Sequence, residues 1–177
     1  MSKKGSWTLL LVWAISLLSA VLFYSQRQIS EFDPKGTLLH QSTSVTFDAS
    51  LISLLKDYDV PAGSIVHVGT QEKCYCDTLT DSHQTQLINN LGQLGYSGLT
   101  LDIEDVPELA SILPSVPTLI VVDTQYNLRY LGPYATGYGC FTGKNLVDEI
   151  SGYATSSSYI NAVVKTDADG CFCNPHR

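Results

Sequence analysis

Positive charge is scarce in this chain. Ten lysines and arginines stand against seventeen aspartates and glutamates in 177 residues, which gives a formal net charge of −7. This balance disfavours binding to nucleic acid or to an anionic membrane surface by charge alone. Internal repeats are also absent, and the length suits one globular domain with a short appendage. We therefore expect no nucleic-acid partner.

One segment lacks charge altogether. Residues 7–24, WTLLLVWAISLLSAVLFY, have no charged side chain, and their number is close to the ~20 residues that cross a bilayer core. Lys3 and Lys4 precede the run, which favours a cytoplasmic N-terminus and export of the rest of the chain. A cleaved signal peptide is the alternative, but the nearest cleavage-like site, 18–20, has a leucine where a small residue is needed. We predict a transmembrane anchor within residues 1–25.

Cysteines at the spacing typical of thioredoxins and zinc motifs are missing, since the chain has no Cys-x-x-Cys. Instead Cys74 and Cys76 flank one residue in EKCYCD, and Cys171 and Cys173 do so in DGCFCN. The fifth cysteine, Cys140, lies in a glycine-flanked stretch. In an exported domain, close cysteines favour disulfides or redox pairs over a metal.

The hydrophobic pattern predicts one α/β domain between two less regular ends. Residues 26–45 are polar and read as a linker, 46–165 as the domain, and 166–177 as a cysteine-containing tail. Helices are predicted by apolar residues at helical spacing over 47–58, 78–94, 105–113 and 144–164. Strands are predicted by short apolar or alternating runs over 64–68, 98–103, 117–123 and 128–132. This order favours a small mixed sheet with helices on both faces.

These elements resemble the thioredoxin superfamily over about residues 46–165. The resemblance is carried by a buried strand ending at a cysteine pair, the helix after it, the stretch Val116-Pro117-Thr118 before the next buried strand, and a hairpin ending at Gly132. It implies a three-layer α/β/α fold with a central mixed four-stranded sheet. It also implies that Pro117 is cis and faces the cysteines, and that the backbone of Val116 pairs with an extended substrate segment.

The chain also resembles a group of membrane-anchored thioredoxin-like proteins of Gram-negative bacteria, which share a Cys-x-Cys and a GPY loop with a cysteine. This resemblance implies a single-pass inner-membrane protein whose C-terminal domain lies in the periplasm. The superfamily implies thiol–disulfide exchange with protein substrates and without a cofactor. By position Cys74 is then the nucleophile and Cys76 the resolving thiol. Tyr75 between them shields the thiols or contacts the substrate.

Other pairings of the cysteines stay open at this point. Cys74 and Cys76 can cross-link to Cys140 or to the tail as structural disulfides. Cys140 is expected to fasten the tail through Cys171 or Cys173, although these two can equally form a second redox pair. Spacing does not determine connectivity.

Two functions of other classes compete with exchange. Cys74 and Cys76, with His83 in the following helix and His176 in the tail, can offer ligands for copper(I) or zinc, as in a metallochaperone. A non-catalytic binding module is the third possibility. His67, inside a buried strand, is expected to be a hydrogen-bonded core residue.

Overall fold

The structure is a computed structural model that describes residues 3–26, 29–72, 74–137, 143–158 and 160–175. Its α-helices are α1 (Lys3–Gln26), α2 (Thr37–Ser42), α3 (Phe47–Asp57), α4 (Tyr75–Thr78), α5 (Asp81–Leu91), α6 (Pro107–Ile112) and α7 (Val147–Thr155). Its strands are β1 (Ser30–Glu31), β2 (Ser64–Gly69), β3 (Ser97–Asp102), β4 (Thr118–Val122), β5 (Leu128–Gly132), β6 (Val163–Val164) and β7 (Asp169–Gly170). Short 3₁₀ turns cover Gly92–Leu94 and Ile103–Asp105.

The main sheet is mixed and has five strands in the order β3-β2-β4-β5-β6. β3 and β6 run parallel to their neighbours, whereas β4 is antiparallel to both β2 and β5. The sequence predicted four strands and one helix over 144–164. The helix α7 instead ends at Thr155, before three serines that favour non-helical backbone. The β-branched pair Val163–Val164 then joins the sheet edge as the fifth strand.

Both faces of this sheet are buried under helices, as predicted. Alternate residues of each strand point to opposite faces. One face packs against α3 and α6, and the other against α5 and α7. The strand residues of the first face are Val66, Val68, Ile120, Val122, Leu128 and Leu131. Those of the second are Ile65, Leu119, Val121 and Tyr130.

The helix expected over 78–94 begins later, at Asp81, and a separate single-turn helix precedes it. The short helix α4 begins directly after Cys74 and ends at Thr78, and α5 begins at Asp81. Hydroxyls close this first turn, because Thr78 donates to the carbonyl of Tyr75 and Thr80 donates to the carbonyl of Asp77, both at 2.7 Å. The cysteine doublet therefore lies on its own single-turn element.

The stretch predicted as a linker differs most from expectation, because it is folded from Ser30 onward. β1 pairs with β7 in the tail, and Phe32 and Leu38 are fully buried in the first core cluster. The Asp33 carboxylate accepts hydrogen bonds from the amides of Thr37 and Leu39 at the start of α2. These contacts make residues 30–45 part of the domain.

The N-terminal helix α1 carries the apolar run found in the sequence. The segment Gly5–Phe23 is long and apolar enough to cross a membrane, and none of it is buried against the rest of the chain. The predicted anchor segment is thus a continuous helix.

Candidate functional site

The four cysteines of the two doublets meet at one place in the described chain. Cys74 bonds to Cys173, and Cys76 bonds to Cys171. Each doublet is therefore joined to the other, and the predicted redox pairing of Cys74 with Cys76 is not the one present. The expected disulfide from Cys140 to the tail is likewise replaced by these bonds. Both bonds join residues 95 or more positions apart, which local spacing cannot encode.

Cys140 and His176 lie outside the described residues. Cys74, Cys171 and Cys173 are partly exposed, whereas Cys76 is buried. Disulfide exchange requires that an incoming thiolate reach a sulfur atom. The Cys74–Cys173 bond, which joins two partly exposed residues, is thus the more accessible of the two.

The tail is held beside the cysteine doublet by backbone pairing. The amide of Val116 donates to the carbonyl of Cys173 at 3.0 Å, and the amide of Cys173 donates to the carbonyl of Val116 at 2.7 Å. The two residues form an isolated antiparallel bridge. The peptide bond between Val116 and Pro117 is cis, as the resemblance implied. We call the backbone N–H and C=O of Val116 the docking edge.

Pro117 also faces the cysteines. It lines a small cavity, of about 30 Å³, together with both partners of the inner disulfide, Cys76 and Cys171. Phe172 and His83 line the same cavity. Pro117 thus lies at the same cavity as Cys76, one member of the expected pair, and its disulfide partner Cys171.

His83 is a buried imidazole without a partner on one nitrogen. Its side chain comes from α5 and is 5% exposed, and among the described residues its Nε2 has no hydrogen-bond partner. Burial lowers the pKa of this imidazole, because the apolar surroundings disfavour its charged form. A neutral imidazole beside two cysteines can accept a proton from a thiol.

A second buried network lies beneath the doublet. The Nε2 of His67 is 2.7 Å from Oδ1 of Asp77, the residue after Cys76. The other ring nitrogen, Nδ1, is 3.0 Å from the Gln84 amide nitrogen and 3.2 Å from the Tyr134 hydroxyl. An imidazole that donates from Nε2 to Asp77 and accepts at Nδ1 satisfies these contacts. His67 is therefore a hydrogen-bonded core residue, as predicted.

The network anchors α4 through Asp77, a residue that the sequence pattern alone did not mark as functional. Burial raises the pKa of Tyr134 well above its usual value, and the nearby Asp77 raises it further. The hydroxyl therefore stays protonated and can donate to His67. The only sequence signal for this arrangement was an aspartate directly after a cysteine that follows a histidine-containing strand.

Three sulfur atoms are close enough to form a cluster. The Sγ atoms of Cys74, Cys76 and Cys173 all lie within 4.8 Å of one another. His83, expected as the third ligand of a metal site, does not belong to this group among the described residues, and Cys173 takes that place. In the disulfide state these sulfurs are not thiolates, which are the form that binds metal.

A groove of about 860 Å³ opens beside the Cys74–Cys173 bond, which we call the outer disulfide. Cys74, Cys173 and Tyr75 line it, and Tyr75 is 70% exposed. The predicted contact of Tyr75 with a substrate stays a prediction, and its exposure is compatible with it. Three exposed carboxylates also line the groove, those of Glu31, Glu72 and Glu104.

Comparison with known proteins places this arrangement in a family. Residues 43–175 match the family model described as a domain of unknown function, DUF6436. The chain belongs to the DUF6436 family. The matched range includes both doublets, the docking edge and the tail up to residue 175, so one family model spans both the domain and the tail. No curated protein and no solved structure matches the chain.

Proposed function

We propose that this chain is a membrane-anchored thiol–disulfide oxidoreductase with a thioredoxin-like domain. The observation that carries the proposal is the position of Cys173, which is bonded to Cys74 while its backbone pairs with Val116. In the thioredoxin superfamily the residue before the cis proline pairs with an extended substrate segment. The Cys74–Cys173 bond thus has the form of an intramolecular mixed disulfide.

The fold supports the same proposal. A parallel β2–β3 pair connected through α4 and α5 is followed by the antiparallel hairpin of β4 and β5. A mixed sheet with helices on both faces is in keeping with the three-layer arrangement that the resemblance implies. β6 adds a short fifth strand at the edge.

The proposed reaction transfers one disulfide at a time. A client thiolate attacks Sγ of Cys74, a bond forms between these two sulfurs, and Cys173 leaves as a thiolate. A second client thiolate then attacks the client sulfur of this mixed disulfide and releases Cys74. The client dithiol loses two electrons and becomes a disulfide, and its two protons end on Cys74 and Cys173. In the opposite direction, a dithiol reductant must first reduce the chain.

His83 serves the inner disulfide in this proposal. Cys76 is buried, and burial disfavours its thiolate form. A neutral imidazole lining the same cavity can take the Cys171 thiol proton when Cys171 attacks Cys76 of a Cys74–Cys76 bond, a step that re-forms the inner disulfide and releases Cys74. The role of His83 is therefore that of a proton acceptor.

The test is a single-turnover assay with the oxidised full chain in detergent micelles and a fluorescent peptide that contains two thiols. Thiols are quenched with acid, alkylated with a mass tag and counted by mass spectrometry. We expect one client disulfide to form for each pair of protein thiols that appears, and we expect Cys74→Ser to lose this reaction. Cys140→Ser, which removes a cysteine outside the four, is the matched control. Oxidation of the peptide at the same rate by Cys74→Ser would contradict the proposal.

Location is the second part of the proposal. Lys3 and Lys4 precede the apolar segment Gly5–Phe23 of α1, which supports a cytoplasmic N-terminus and a periplasmic domain in a Gram-negative inner membrane. Protease added to spheroplasts should then remove the domain without lysis. A domain that is digested only after lysis would place it on the cytoplasmic side.

Metal binding is the second candidate, because three sulfurs lie within 4.8 Å of one another. Reduction of both disulfides would convert them to thiolates suited to copper(I) or zinc. The reduced full chain is mixed with zinc or copper(I), desalted and analysed for metal. Retention of one ion per chain by the reduced protein, lost in Cys74→Ser, would support this function. If neither exchange nor metal retention is observed, a non-catalytic binding module remains.

A further inference from the structure

We propose that residues 170–174 are a built-in occupant of the docking edge, released by two-electron reduction, and that they define the client as an extended segment with an aromatic residue immediately before its reacting cysteine. This inference rests on the proposed function. It adds to it the sequence type of the client and the step that makes room for that client.

The first support is that the docking edge is already filled. Both hydrogen-bonding groups of Val116 pair with Cys173, so an incoming strand has no free partner at this position. An extended client that pairs with the same groups must displace the tail. The tail and the client therefore compete for one site.

The second support is the alternation of side chains in the tail. Cys171 and Cys173 both bond to the doublet, whereas Phe172 between them turns the other way. Its ring meets the fully buried ring of Phe32 edge to face, with centroids 5.1 Å apart. The ring also covers Gly170, where an added Cβ would lie 2.8 Å from it. A client that replaces the tail gains the same contacts if it has an aromatic residue there.

The third support is that the backbone pairings of the tail are short. β7 pairs with β1 over only two residues, and Gly170 forms an isolated bridge with Gly137, whose amide donates to the carbonyl of Asp169. Pairings of this size are marginal in water, and the segment from Cys171 to Cys173 is partly exposed. Breaking the disulfides should thus free the segment.

The chemistry of release needs one dithiol. A dithiol attacks the Cys74–Cys173 bond, closes its own disulfide and leaves thiols on Cys74 and Cys173. The thiolate of Cys74 then attacks Cys76, whose sulfur lies within 4.8 Å of it, and Cys171 leaves as a thiolate. This second step moves no net electrons. It forms the Cys74–Cys76 bond and leaves the tail with two thiols and no covalent link.

Hydrogen exchange tests the release on the full chain without any substitution. In the oxidised chain the Val116 amide is bonded to Cys173 and should exchange slowly. After limited reduction with a dithiol we expect exchange of a peptic fragment spanning Val116 to accelerate by about tenfold or more. Unchanged exchange after both tail cysteines have become thiols would overturn the release step.

A peptide probe tests the client type. The probe has the sequence of residues 168–174 with Cys171 replaced by serine, and the matched probe also carries Phe172→Ser. The protein is the full-length variant Cys171→Ser/Cys173→Ser, oxidised so that Cys74 and Cys76 are bonded to each other. The probe thiolate attacks Cys74, Cys76 leaves as a thiolate, and intact mass measures the mixed disulfide. Each rate is divided by the rate with 2-mercaptoethanol, which needs no docking.

We expect this ratio to be about tenfold higher for the phenylalanine probe than for the serine probe. We also expect the phenylalanine probe to slow the exchange of Val116 in the reduced wild-type chain. Equal ratios for the two probes would overturn the inference and leave the exchange function standing. No reaction with 2-mercaptoethanol would instead refute the proposed function, and the inference with it.

Discussion

Val116 and Cys173 exchange two backbone hydrogen bonds across 57 positions of chain, at 3.0 and 2.7 Å. This pairing aligns the tail with the doublet, so that Cys173 meets Cys74 and Cys171 meets Cys76. The backbone pairing and the two disulfides thus hold the tail in the same register.

The disulfide pattern can be read by digestion. Chymotrypsin cuts after aromatic residues, and Tyr75 and Phe172 each separate the two cysteines of a doublet. Digestion of the unreduced chain should release the fragment of Cys74 joined to that of Cys173, and the fragment of Cys76 joined to that of Cys171. Fragments joining Cys74 to Cys76 would contradict this connectivity.

The two disulfides should stabilise the domain in a strongly non-additive way. Either bond alone closes a loop of 95 or 99 residues, whereas the second bond then adds only a small ring between the doublets. In the chain-entropy account a loop of this length is worth about 4–5 kcal/mol and a small ring far less. We expect Cys173→Ser or Cys171→Ser to lower the free energy of unfolding by about 1–2 kcal/mol, and the double variant, which loses the small ring and the long loop, by about 5–7 kcal/mol.

Urea unfolding of the full chain in detergent, followed by tyrosine fluorescence, measures these differences. Ser157→Ala, at an exposed position between α7 and β6, is the control for substitution as such. Two single losses that add up to the double loss would show that the bonds act independently. That result would rule out the shared loop as the source of stability.

The buried pair of His67 and Asp77 should respond to small changes. In Asp77→Ala the Nε2 of His67 loses its partner at 2.7 Å, and a buried donor without an acceptor costs about 1–3 kcal/mol. Asp77→Asn keeps an acceptor oxygen and should cost less. Glu72→Ala, which removes an exposed carboxylate on the preceding loop, is the matched control. Urea unfolding measures all three, and equal stability of Asp77→Ala and the wild type would contradict the role of this contact.

His83 should make the domain less stable as the pH falls. Its pKa is lowered by burial in the folded state, so the unfolded chain takes up this proton at a higher pH than the folded chain does. The stability linked to the neutral imidazole is therefore complete above about pH 6.5 and decreases as the pH falls below that value. We expect His83→Gln, which does not titrate, to lose less stability than the wild type between pH 7 and pH 5.

The control is His40→Gln, which removes an exposed histidine on α2. The same pH series applied to re-formation of the Cys76–Cys171 bond, counted by alkylation and mass spectrometry, should shift in His83→Gln, because the proposed acceptor of the Cys171 thiol proton is gone. Identical pH profiles of the wild type and His83→Gln, in both stability and re-formation of this bond, would leave His83 without the proposed role.

Much of the central sheet could be predicted because its strands carry their own signal. Ser64–Gly69 and Thr118–Val122 are short, apolar and rich in β-branched residues, and every residue in them is buried. The start of the helix after the doublet was harder to predict. The apolar spacing begins at Leu79, whereas the hydroxyls of Thr78 and Thr80 donate to backbone carbonyls there and the helix starts only afterwards. Local hydrogen bonding outweighed periodicity at this point.

The tail and the linker could not be predicted from pattern. Phe32 is a single apolar residue and Leu38 is one of two adjacent leucines in a polar stretch, and residues that pack with them lie far away in the chain. The pairing of the doublets depends in the same way on a strand that arrives from residue 169 onward. The cis bond before Pro117 was expected through family resemblance, whereas composition and spacing are silent on it.

The pairing of β1 with β7 limits the distance between the domain and the end of α1. Ser30 lies next to Gly170, and only four peptide steps separate Ser30 from Gln26 at the end of α1. Fully extended, those steps span at most about 14 Å. If α1 is embedded in a bilayer, this short connection keeps the domain and its disulfides close to the membrane surface. Clients of the proposed exchange would then have to react at the membrane.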